Sequence, residues 1–121
     1  MSSLDIYLVE DNPLLALGLK QIIKSLGHHV CGFASSYEQA IFDLKTLKPD
    51  LVITDIMLEG LGTGVDLGHY LNKYLNIPFI YQSSVSISHV ICEAYATQPE
   101  AYLVKPVGRY DLGVAISAFG E

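Results

Sequence analysis

Positive charge is scarce in this chain. Seven lysines and arginines face thirteen acids, a formal net charge of −6. That balance argues against a nucleic-acid-binding face and suits a metal cation or a basic partner. Cysteine is nearly absent too, and Cys31 and Cys92 show neither metal-ligand spacing nor the density of a disulfide framework. Two lone cysteines in apolar settings read as reduced core residues, which places the protein in the cytoplasm. No basic segment followed by an apolar one opens the chain, so no secretory signal is expected. No apolar run approaches the ~20 residues a membrane span needs. Low-complexity tracts, linkers and internal repeats are also missing. What remains is a chain of 121 residues, 50% hydrophobic, with ordinary glycine and proline. At that length folding hides roughly two thirds of the unfolded surface, enough for one domain, 1–121, with a real core.

Short apolar runs alternate with amphipathic ones along the chain. Leu4 to Val9 reads as a strand ending in Glu10-Asp11. Asp11 or Asn12 caps the helix that follows, with Pro13 in its first turn. Leu15, Leu19, Ile22, Ile23 and Leu26 share one face of that helix, and Gly27 stops it. Val30 to Ala34 is a second strand, and Ser35-Ser-Tyr-Glu38 has the pattern of a capping box. The second helix turns Tyr37, Ala40, Ile41, Leu44 and Leu47 inward. A third strand lies within 49–58, followed by the loop 59–64, whose three glycines predict flexibility. The third helix presents Leu67, Tyr70, Leu71, Tyr74 and Leu75. Ile77 to Gln82 is the fourth strand, with Ser83-Ser84 at its end. Ile87, Val90, Ile91, Ala94 and Tyr95 mark a fourth helix over 86–97. Ala101 to Val104 is the fifth strand, followed by Lys105-Pro106, and Leu112, Ala115, Ile116 and Phe119 mark the last helix. Five strand–helix units predict an α/β fold with helices on both faces of a parallel sheet. Right-handed crossovers leave few arrangements, and the common one is a (βα)5 flavodoxin-like three-layer sandwich of strand order 2-1-3-4-5.

Ligands in such folds bind beyond the carboxyl ends of the strands, where strand order reverses. Strand one ends there in Glu10-Asp11, strand three in Asp55, strand four in Ser83 and strand five in Lys105. A carboxylate closing a strand buried on both faces is costly unless something needs it. Three converging acids raise one another's pKa unless a cation sits among them. Oxygen-only ligands with room for water suit Mg²⁺. Lys105 adds a charge that can hold a phosphate, and Ser83 a hydroxyl for a further phosphate oxygen. The set describes a site that accepts a phosphoryl group on Asp55, with metal and Lys105 offsetting the developing charge.

Four motifs, each closing its own strand, carry a family resemblance: LVED (8–11), PDLVITDIML (49–58), IPFIYQSS (77–84) and AYLVKP (101–106). Over essentially its whole length the chain resembles a response-regulator receiver domain of two-component signalling. The resemblance implies that Asp55 is the phosphoacceptor and that Glu10 and Asp11 are the acidic pair holding Mg²⁺. It makes Met57 the donor of a backbone carbonyl to the metal, Ser83 the switch hydroxyl, Tyr102 the switch aromatic and Lys105 the lysine that bonds the phosphoryl group. It also implies a sensor histidine kinase or phosphotransfer protein as partner. Output would pass through the fourth helix, fifth strand and fifth helix, with no enzymatic activity beyond the domain's own phosphoryl transfer and autodephosphorylation.

Some positions depart from that family pattern. Glu59 stands where proline is usual, the loop before Gly64 is one residue longer, Ser84 replaces a small alanine, and Pro99 occupies the turn before strand five. The last helix ends with the sequence, so no output domain is expected within it, and the target stays open. Helix four carries Glu93 as its only acidic or basic residue, beside His89. A dimer held by cross-subunit salt bridges is therefore disfavoured, and a weak homodimer stays open. The four histidines have no ligand spacing and read as surface or packing residues. Two rivals stand beside the phosphoacceptor reading. A phosphatase using Asp55 would want a carboxylate at 57, where Met57 stands. A degenerate receiver that binds partners without phosphorylation would have lost Asp55, an acidic-pair member or Lys105, and keeps all of them.

Overall fold

The computed structural model describes residues 3–120, so the outer ends of the expected 1–121 domain lie outside the described residues. In chain order the elements are β1 (Asp5–Val9), α1 (Pro13–Ser25), β2 (His29–Ala34), α2 (Tyr37–Leu44), β3 (Leu51–Asp55), α3 (Gly64–Tyr70) with a π-helical turn (Leu71–Leu75), β4 (Phe79–Ser83), α4 (Ser88–Ala96), β5 (Ala101–Val104) and α5 (Arg109–Gly120). The strands form one parallel sheet in the order β2-β1-β3-β4-β5, as expected. Successive strand side chains alternate between its faces. Tyr7, Val52, Phe79 and Tyr81 meet Ala40, Leu44, Leu67, Leu71 and Ala94 of α2 to α4 on one face. Ile6, Leu8, Leu51, Ile53 and Ile80 meet Leu19, Ile23, Leu112 and Ile116 of α1 and α5 on the other. All five residues of β3 are buried, the signature of a central strand covered on both sides. Among the described residues, no helix is long and apolar enough to cross a membrane.

Asn12 is the cap of α1, its side chain accepting from the N–H groups of Leu14 and Leu15. Gly27, at φ +90°, takes the left-handed turn that ends the helix. The second helix differs from expectation: Ser36, not Ser35, accepts from Gln39 N at 3.1 Å, one residue later than the capping-box reading. Ser35 instead donates to Glu59. Leu15 is 46% exposed and Tyr74 63% exposed, though both share their helix's apolar spacing. Leu15 lies on the first turn of α1, beyond the reach of the layer that covers Leu19 and Ile23. Tyr74 lies in the π-helical turn, which shifts the phase of the helix and ends at Asn76 in left-handed geometry, φ 59°. Ile87 and Tyr95 are exposed as well, so only Ala94 of α4 is fully buried. His28 is buried, and its Nδ1 accepts from Leu4 N at 3.0 Å, a packing role rather than a ligand's.

The loop after β3 is held rather than loose. Glu59 bridges to Ser36 and accepts from Ser35, Gly62 N donates to Glu38 at 3.3 Å, and Thr63 forms a capping box with Asp66. Gly60 adopts φ +86°, and Gly64 packs so closely on Asp55 that a Cβ there would lie 1.9 Å from the Asp55 carbonyl oxygen. The glycines permit a tight path.

Candidate functional site

Parallel strands in register deliver their ends to one edge of the sheet, and each of the central ones delivers a polar residue there. Glu10 follows β1, its N–H still tied to Ala34 O at 2.9 Å, and it is 3% exposed. Asp55 closes β3 and is nearly as buried. Lys105 follows β5, its N–H donating to Ser83 O at 2.9 Å. Across the edge, Lys105 Nζ donates to Glu10 Oε1 at 2.8 Å and to Asp55 Oδ2 at 2.7 Å. The other Asp55 oxygen, Oδ1, accepts from Ile56 N at 2.7 Å. Asp11 completes the group from the exposed side: Glu10, Asp11 and Asp55 each offer an oxygen, all within 4.8 Å of one another.

Three carboxylates gather here and one ammonium bonds two of them, and the consequences follow electrostatically. Burial raises the Asp11 pKa, and the adjoining Glu10 and Asp55 carboxylates raise it further. Burial on its own lowers the Lys105 pKa, but its pairing with Asp55 and Glu10 outweighs this and leaves it raised. The donors are all oxygens, their charge exceeds what Lys105 offsets, and Asp11 faces solvent. A hard divalent cation with part of its water shell fits such a set.

The remaining expected residues lie around this cluster. Ser83 ends β4, fully buried, and its Oγ accepts from Val85 N at 2.9 Å. Met57 lies just past β3 with its side chain largely in solvent. Tyr102 pairs with Tyr81 in the β4–β5 ladder, and its ring stacks on Tyr95 with centroids 5.3 Å apart and planes at 19°. The Tyr102 hydroxyl is buried and has no hydrogen-bond partner among the described residues. Gln82 went unassigned in the strand pattern IPFIYQ, yet its Nε2 donates to Glu10 Oε1 at 3.1 Å. A buried amide inside an otherwise apolar strand was the available signal. A second polar cluster had no sequence signal: Tyr81 OH and Thr97 Oγ1 lie 2.7 Å apart, and Asn72 Nδ2 donates to Thr97 O at 2.6 Å. These contacts tie α4 to β4 and to the π-helical turn.

The family model of the response regulator receiver domain matches residues 6–117. The chain is 29% identical to the chemotaxis protein CheY of Thermotoga maritima over 102 residues, 84% of each chain. It is 27% identical to the phyllosphere-induced regulator PhyR of Methylorubrum extorquens, covering 93% of this chain and 42% of that protein. Against the transcriptional regulatory protein YvrH of Bacillus subtilis it likewise covers 49% of the relative. The chain thus spans about half the length or less of these two regulators. Among solved structures, the signal receiver domain of a modulated diguanylate cyclase from Desulfovibrio desulfuricans superposes with a TM-score of 0.91. Identity to it is 32%, over 97% of this chain and 93% of that one.

Proposed function

Because the chain belongs to the response regulator receiver family, we propose that it is a phosphoacceptor switch in which Asp55 takes a phosphoryl group from a phosphohistidine. The observation that carries this reading is the meeting of Glu10, Asp11, Asp55 and Lys105 at one edge of the sheet. An Asp55 carboxylate oxygen attacks phosphorus and forms the O–P bond. The P–N bond breaks, and its electron pair leaves on the imidazole, which takes up a proton. Glu10, Asp11, Asp55 and the Met57 carbonyl would hold Mg²⁺, which when bound offsets the charge of the phosphoryl oxygens. Lys105 donates to one of those oxygens and Ser83 to another. Tyr102 responds to the movement of Ser83, and the surface of α4, β5 and α5 carries the change outward. The donor is a sensor histidine kinase or phosphotransfer protein, and the whole 1–121 chain acts as one receiver domain in the cytoplasm.

Beryllofluoride, a mimic of the acyl phosphate, tests this directly. Wild type should bind it only with Mg²⁺ present, and Asp55→Ala should not bind it. Equal binding by the two proteins, or none by wild type, removes the phosphoacceptor reading and leaves the phosphorylation-independent interaction module.

A further inference from the structure

Glu10 is the most deeply buried carboxylate of the cluster, and three donors hold it. Oε2 accepts from Asn12 N at 3.0 Å, while Oε1 is shared by Gln82 Nε2 at 3.1 Å and Lys105 Nζ at 2.8 Å. Gln82 is itself 3% exposed. It lies two residues after Ile80, and so on the α1/α5 face of β4, where Ile80 packs in the hydrophobic core. An amide at such a place is costly unless bonded, and the ionised carboxylate of Glu10 can only accept, which fixes the orientation of the amide.

The two side-chain donors to Oε1 differ in what they do when Asp55 is phosphorylated, and here the inference rests on the function proposed above. Lys105 is a mobile charge already divided between Glu10 and Asp55. A phosphoryl group on Asp55 moves the negative charge outward, and the ammonium follows it. Glu10, even where it would hold the metal, then has an Oε1 that has lost its ammonium partner. Gln82 carries no charge to follow, and its backbone is fixed in the β3–β4 ladder opposite Asp55. We propose that Gln82 is a positioning residue for phosphoryl acceptance: its amide keeps Glu10 oriented, so that Lys105 can leave for the phosphoryl group without leaving Glu10 Oε1 free of a protein donor.

The test separates two ligands. Gln82→Met keeps the length of the side chain and removes the donor. Its affinity for Mg²⁺ alone, with Lys105 still on Glu10, should stay within about twofold of wild type. Its affinity for beryllofluoride at saturating Mg²⁺ should fall about tenfold, the loss expected of one hydrogen bond to a charged group. Equal losses for both ligands, or none for beryllofluoride, overturn the positioning role while wild-type binding keeps the phosphoacceptor reading intact. Failure of wild type to bind beryllofluoride overturns both. The wild-type protein gives an answer independent of the variant's folding. By NMR the Gln82 side-chain amide protons should remain in slow exchange with water in the beryllofluoride complex, and rapid exchange there also overturns the proposal.

Discussion

The Lys105 side chain is 16% exposed, and those of the two acids it meets are less so. Removing one member of such a buried group leaves uncompensated charge, so Lys105→Met should cost roughly 3 kcal/mol in urea unfolding at neutral pH. Added Mg²⁺ should restore part of it, because a cation takes over the same carboxylates. A loss well under 1 kcal/mol would mean that solvent already screens the pairs. The pKa of Lys105 is raised on folding. Its contribution is therefore complete below the ordinary lysine value and lost as pH rises through the folded one. Tyr81 gives a second alkaline signature. Burial pushes its pKa up to about 12, although its hydrogen bond with Thr97 works the other way. Between the ordinary tyrosine value and about 12, the unfolded chain ionises first and stability falls. Tyr81→Phe should be less stable by ~1 kcal/mol at neutral pH for want of that bond. It should close that difference within the alkaline window and end above wild type. Tyr7 titrates in the same direction in both proteins, so the difference between their two stability–pH curves is the quantity to follow.

Individual elements hold the cluster in place, and two glycines show how differently a backbone tolerates change. At Gly64 an added methyl would meet the Asp55 carbonyl at 1.9 Å, with Ile56 Cα at 2.8 Å behind it. Gly64→Ala should therefore push α3 away from the end of β3. The expected result is a loss of roughly 2 kcal/mol in stability together with weaker beryllofluoride binding. Gly18, in the middle of α1, has nothing within 4 Å of the same position, and Gly18→Ala should gain about 0.5–1 kcal/mol. Thermal unfolding of the pair decides it, and equal shifts would mean that the approach of α3 to Asp55 is slack. The same elements show why parts of the fold could be read from the chain. The buried run Leu51–Asp55 and the polar residues closing each strand state their place openly, because only a central parallel strand is apolar on both faces. Ser35 and Ser36 both fit a cap, and the choice was made by Glu59, distant in sequence, which bonds Ser35. The π-helical turn has no residue type that announces it, so the spacing alone does not show that Tyr74 faces outward. Gln82 was passed over because its partner Glu10 lies 72 residues away.

At the scale of the whole molecule, the cluster and the expected output surface lie on different elements, joined through β4 and β5. Ser83 pairs with Val104 and Tyr81 with Tyr102. From Tyr81 the Thr97 and Asn72 contacts reach the end of α4. The outer surface is apolar and poor in charge: Tyr95, Val104, Tyr110 and Val114 are all more than half exposed. A ligand shifts a conformational balance only by its difference in affinity between the two states. Binding at Asp55 must therefore change what holds α4 to the sheet if the signal is to leave that way. Two contributions separate in hydrogen exchange. Mass action from beryllofluoride and Mg²⁺ at a hundredfold excess over Kd adds about 2.7 kcal/mol to every amide that exchanges by global unfolding. A switch adds a local change confined to α4, β5 and α5, with α2 and β2 showing only the global increment. The expected outcome is both effects in wild type and neither in Asp55→Ala. Global protection without a local change at α4 to α5 would place the output elsewhere, while leaving the proposed phosphoacceptor role of Asp55 intact.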